Sequence, residues 1–104
     1  MLACVPRWQL DGLEYHDMDE EFFMLDGDVW IGNCGELRPG SYFHRSSYTT
    51  HGPFFTRDGF VGLQWCSTHV VNHFTQDPFA SREENRAAAA QEPAPQDHLG
   101  ALHA

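Results

Sequence analysis

The chain has 104 residues, room for one domain, and a formal charge of −9 from 15 acids against six arginines and no lysine. That balance argues against a nucleic-acid partner, because phosphate binding needs a basic face. No apolar run approaches bilayer length, and Met1-Leu2-Ala3-Cys4-Val5-Pro6 is too short and too soon broken by proline for a secretion signal.

Along residues 2–13, Trp8 and Leu10 are candidates to face a core, while Pro6 and Gly12 limit any strand to a sheet edge. Eight of the acids lie between Asp11 and Asp28, which fits either a solvated face or a cation site. Residues 22–25 and 29–31 are short apolar and β-branched runs, and the intervening Asp26-Gly27-Asp28 is a hairpin signal. Gly32-Asn33-Cys34-Gly35 marks the next turn, and Pro39-Gly40 punctuates the chain again after Leu37. Residues 41–45 alternate as a strand does, 49–53 form a loop, and Arg57-Asp58-Gly59 is a further turn. Residues 60–66 and 67–75 are the last predicted strands, the second ended by Asp77-Pro78. This spacing of about ten residues predicts an all-β sandwich or barrel. Its expected core is Phe22, Met24, Trp30, Ile31, Phe54, Phe60, Val61, Leu63 and Trp65.

Two regions follow: a β-domain over 1–80 and a C-terminal tail over 81–104. The tail holds a pure alanine run, Ala87-Ala88-Ala89-Ala90, and no aromatic residue. It buries too little to offset its ordering entropy, so a flexible tail is expected, with a short helix over 83–90 as the alternative. About 80 residues make a marginal core, which a bound metal or a partner subunit would relieve. Cys4, Cys34 and Cys66 are odd in number and lack CxxC spacing, against both a disulfide scaffold and a zinc ribbon. A soluble protein of a reducing, cytoplasmic compartment is expected.

The chemistry concentrates in four residues. Glu14, His16 and Glu20 are evenly spaced, so extended backbone sends them to one face, and His51 could meet them from a neighbouring strand. Two imidazoles with one or two carboxylates suit a divalent ion. A two-His-one-carboxylate set with open positions fits non-heme Fe(II), and Mn, Ni or Zn is compatible. Glu21, one residue on from Glu20, points the other way. Phe22 and Met24 share the inward parity of Glu20 and are expected to line a ligand pocket. His44 is a further ligand-contact candidate by position, with a surface site as its alternative. His69 and His73 share strand parity and fit either a metal pair or exposed decoration.

These residues resemble the motifs of the cupin superfamily. His16, Glu20 and Gly27 reproduce the spacing of its first motif, and Pro39-Gly40 followed by His51 that of its second. The flanking text, Glu20-Glu21-Phe22-Phe23-Met24-Leu25-Asp26-Gly27-Asp28 and Gly40-Ser41-Tyr42-Phe43 to His51-Gly52-Pro53, is most similar to the ChrR-like branch. The resemblance spans residues 14–65. It implies a small cupin-like β-barrel (a double-stranded β-helix, or jelly roll) whose metal is held by His16, Glu20 and His51. Glu14 stands where the family has its first histidine. The implied activity is a small Fe(II)-dependent dioxygenase acting on a small organic ligand. A non-catalytic sensor like the cupin domains of anti-sigma factors, or a relict without metal, are the alternatives. Only thirteen residues precede Glu14, fewer than the family carries, so the resemblance implies either a barrel completed by a second subunit or a truncated relative, and a homodimer is expected.

Overall fold

The computed structural model describes residues 1–92. Its first strands are β1 (Leu2–Cys4), β2 (Gln9–Leu10), β3 (Leu13–His16), β4 (Glu20–Gly27) and β5 (Val29–Ile31). They continue as β6 (Gly35–Leu37), β7 (Tyr42–Arg45), β8 (Phe54–Phe55), β9 (Phe60–Cys66) and β10 (Asn72–Thr75), and helix α1 (Arg82–Gln91) follows. All pairings are antiparallel.

One sheet has the order β1-β9-β4-β7 and a second the order β2-β8-β5-β6. The proline- and glycine-limited N-terminal strands β1 and β2 each take an edge, where a missing donor costs little. A third pair, β10-β3, is tied to the loop ahead of β8 by a bridge between Glu14 and His51. The sheets share a core without closing on one another, so the closed barrel expected from the sequence is not formed.

Strand alternation decides what is inside. In β4, Glu20, Phe22 and Met24 are buried while Phe23 and Leu25 are exposed. The core joins Phe22 and Met24 to Val29 and Ile31 of β5 and Phe60 of β9, with Leu37, Phe43 and Phe54 packed against it. The Phe22 ring stacks on Phe43 at 5.6 Å and meets Phe60 edge-on at 5.9 Å. Gly62 of β9 makes this possible, since a Cβ there would collide with the Phe22 ring. The same alternation removes four residues from the expected core, among them Val61, which is half-buried and outside the core cluster. Trp30, Leu63 and Trp65 are 53%, 50% and 55% exposed, because their neighbours Ile31, Gly62 and Gln64 take the inward parity.

The C-terminal region also differs from expectation. Residues 82–91 are helix rather than flexible tail, as the alternative reading had it, and residues 93–104 lie outside the described part. Ser81 caps the helix: its Oγ accepts from the Glu84 amide at 3.0 Å, and the Glu84 carboxylate accepts from the Ser81 amide at 3.3 Å. Glu83 and Glu84 complement the helix dipole, and the alanine run has the best intrinsic propensity. Docking completes it. Asn85 is buried and donates to Tyr48 O and Thr50 Oγ1, both at 2.8 Å, and Arg82 Nε donates to Ser47 O at 2.7 Å. Helix α1 therefore rests on the loop that leads into His51. No helix among the described residues is long and apolar enough to cross a membrane.

Candidate metal centre

β3 turns Glu14 and His16 to one side and Tyr15 to the other, where it stacks on His73 at 5.0 Å. The bridge then sets the third residue. Glu14 N donates to His51 O at 2.9 Å and His51 N donates to Glu14 O at 2.8 Å, which brings the two side chains together. The His16 and His51 rings lie 4.6 Å apart between centroids. Glu14, His16 and His51 are all buried, and one ligand atom of each lies within 4.8 Å of the others.

The pairwise distances fit a shared ion. His51 Nε2 is 3.2 Å and His16 Nε2 is 3.6 Å from Glu14 Oε1. Ligands about 2.0–2.2 Å from a four- or six-coordinate ion are themselves separated by roughly 3.0–3.5 Å. Orientation points the same way. His51 Nδ1 is 2.9 Å from Thr49 O, a pure acceptor, so Nδ1 carries the hydrogen. In the neutral ring Nε2 then presents its lone pair to a carboxylate oxygen. A proton on Nε2 or a cation between the two atoms satisfies them both, and a divalent ion can take His16 Nε2 as well.

The electrostatics set the trio for ligation. Burial alone would raise the Glu14 carboxyl, but the hydrogen bond from His51 and the charges of His16, His51 and Arg45 outweigh it and hold it below its ordinary 4.5. Burial, aided by the nearby His51, pushes His16 below its ordinary 6.5 against the pull of Glu14 and Glu20. An ionised carboxylate and a neutral imidazole are what a metal binds. His16 Nδ1 makes no hydrogen bond of normal geometry, although the Val71 backbone lies close enough to favour the protonated ring.

Stability follows from these shifts. Below pH 6.5 the unfolded chain protonates His16 while the folded chain resists, so the folded state loses ground as pH falls towards the lowered value. Glu14 adds a loss of the same sign below 4.5. The melting temperature of metal-free protein is expected to fall steadily from pH 7 to pH 5, and His16→Gln to flatten that fall.

Glu20, expected as a ligand, stands apart. Arg45 Nη1 donates to Glu20 Oε1, and Gln64 Nε2 donates to Oε2 at 3.0 Å. Its Oε1 is 4.0 Å from His16 Nε2, and it lies outside the converging set. The group that could hold an ion among the described residues is therefore Glu14, His16 and His51, and Glu20 falls outside it.

The trio lines a cavity of about 290 Å³ that reaches the core. Phe22 is on its wall, as expected, but Met24 is wholly buried in the core and does not line it. His44 is the second correction: β7 pairs it with outward Glu21 and turns Phe43 and Arg45 inward, which leaves His44 exposed. Trp8 and Leu10 both line the cavity.

His73 is not exposed decoration. It is 4% exposed, with Nε2 2.7 Å from Asp17 Oδ1 and Nδ1 2.5 Å from Glu92 Oε2. Carboxylates thus flank both nitrogens of the ring, on opposite edges, while His69 is exposed.

The helix supports the site at one remove, since Asn85 fixes the backbone and hydroxyl of the loop whose Thr49 carbonyl orients His51. Outer-shell partners of this kind typically carry about 10–100-fold in metal affinity. Asn85→Ala is expected to weaken Zn(II) binding by about tenfold, read by competition with a chromophoric chelator, while far-UV circular dichroism stays β-rich.

No family model, curated protein or solved structure matches this chain.

Proposed function

We propose that this chain is a divalent-metal protein in which Glu14, His16 and His51 hold one ion against a cavity for a small organic ligand. The observation that carries the reading is the convergence of three buried ligand atoms around Glu14 Oε1, with the opposite nitrogen of His51 committed to Thr49 O. Two imidazoles and one carboxylate make Fe(II) the first choice, with Mn, Ni and Zn compatible. When bound, such an ion supplies Lewis acidity and, as iron(II), a redox partner for dioxygen. The chain's own part is to fix the ligands through β3 and the bridge, and to exclude water with the walls of Phe22, Ile31 and Phe54.

Two antiparallel sheets around one apolar core, with the site between them and the β3 pair, support reading the domain as a small cupin-like jelly roll. The catalytic form of the proposal is a small dioxygenase, and the other form is a non-catalytic sensor. An oxygen electrode separates them. Fe(II)-loaded protein with a panel of β-diketones and hydroxyketones is expected to consume oxygen above a free-iron control, and His51→Ala to abolish the excess. Intact metal binding with no consumption for any substrate would leave the sensor, and no metal binding would leave the relict.

A further inference from the structure

Arg45, whose side chain lines the same cavity, carries the other buried polar atom left without a partner among the described residues. Its side chain is 8% exposed and its guanidinium lies over the Phe43 ring at 4.5 Å. Nη1 is committed to Glu20, whose second oxygen is taken by Gln64. Nη2 is buried and has no hydrogen-bond partner among the described residues. A buried N–H of a charged group is costly to leave unpaired, and Nη2 reaches neither oxygen of Glu20, which accept from Nη1 and Gln64.

The surroundings narrow what would satisfy it. Arg45 and the metal trio line the same cavity, and most of the remaining wall is apolar, including Phe22, Ile31, Leu37 and Phe60. With a divalent ion bound and both imidazoles neutral, the carboxylates of Glu14 and Glu20 and the one guanidinium leave a single positive charge, which one monoanion cancels. The cavity of about 290 Å³ lies at the small end of the roughly 300–1,000 Å³ usual for ligand sites. A guanidinium edge is suited to a carboxylate oxygen.

We infer that the ligand of this cavity is a small monocarboxylic acid with an apolar body, its carboxylate accepting from Arg45 Nη2 and its body lying against Phe22, Phe43 and Ile31. The inference rests on reading the cavity as a ligand site and names the class of molecule it takes. Arg45 is a binding residue in this scheme.

The test is calorimetric titration of the full chain with benzoate and with benzamide, its neutral isostere, in metal-free and Zn(II)-loaded protein. Zn(II)-loaded wild type is expected to bind benzoate at least about tenfold more tightly than benzamide, the worth of one charge-assisted hydrogen bond, and the metal-free protein to show a smaller preference. Arg45→Met alone would strand Glu20, so the informative variant is Arg45→Met with Glu20→Gln, its fold checked by circular dichroism. In that variant the two probes are expected to bind alike. Equal binding in wild type overturns the inference, and so does a preference surviving in the double variant, which would place the carboxylate on the ion. Zn(II) titration of the same samples reads the metal site separately. Lost metal binding with benzoate preference retained removes the metal reading alone, and the reverse pattern removes only the ligand class.

Discussion

His51→Ala is expected to abolish stoichiometric divalent-metal binding while leaving the β-fold in place. The side chain supplies one of the three ligand atoms that converge among the described residues, and its Nε2 is the atom 3.2 Å from Glu14 Oε1. The loss should exceed the roughly 10–100-fold that removal of an outer-shell partner costs. The fold should survive because the bridge to Glu14 runs through the His51 backbone, which alanine keeps, and because the ring borders an existing cavity. His16→Ala is expected to match it. Elemental analysis of untagged protein reads both: near one equivalent in wild type and background in each variant. Full occupancy in either variant would mean that the ion binds elsewhere.

Arg45→Met is expected to produce the largest loss of stability of any single change at the site, about 3–5 kcal/mol. It leaves the Glu20 carboxylate, 3% exposed, without its charged partner beside an apolar wall. Stability of a domain this size is about 5–15 kcal/mol, so the variant should be partly unfolded in mild denaturant. Adding Glu20→Gln is expected to restore most of the loss, because the amide oxygen can still accept from Gln64 and no charge remains stranded. Denaturant unfolding of wild type, single and double variants reads the cycle. A single variant within about 1 kcal/mol of wild type would show that the pair is solvated.

The site's outline was legible in the sequence, and its closing contacts were not. Even spacing placed Glu14 and His16 on one face, and the position of His51 after Pro39-Gly40 marked it as their partner. The inward parity of Glu20 was also correct. What neutralises Glu20 is Arg45, paired across from it in β7, and a single strand's pattern does not reveal its cross-strand neighbour. His44 failed on phase: Phe43 and Arg45 are the inward residues of β7, and one step of register exchanges the faces. Counting Trp30, Leu63 and Trp65 as core made the same error, treating apolar character as burial. The helix had local signals, Ser81 with Glu84 and the alanine run, but its stability depends on Asn85 reaching Tyr48 and Thr50. That contact joins positions 35 or more residues apart. The clamp on His73 by Asp17 and Glu92 is non-local for the same reason.

Anomalous diffraction from crystals grown with Zn(II) tests the metal centre most directly. One peak is expected about 2.0–2.2 Å from a Glu14 carboxylate oxygen, His16 Nε2 and His51 Nε2, with Glu20 still held by Arg45. Zinc found only on surface acids, or His51 turned so that Nε2 leaves the cluster, would contradict it.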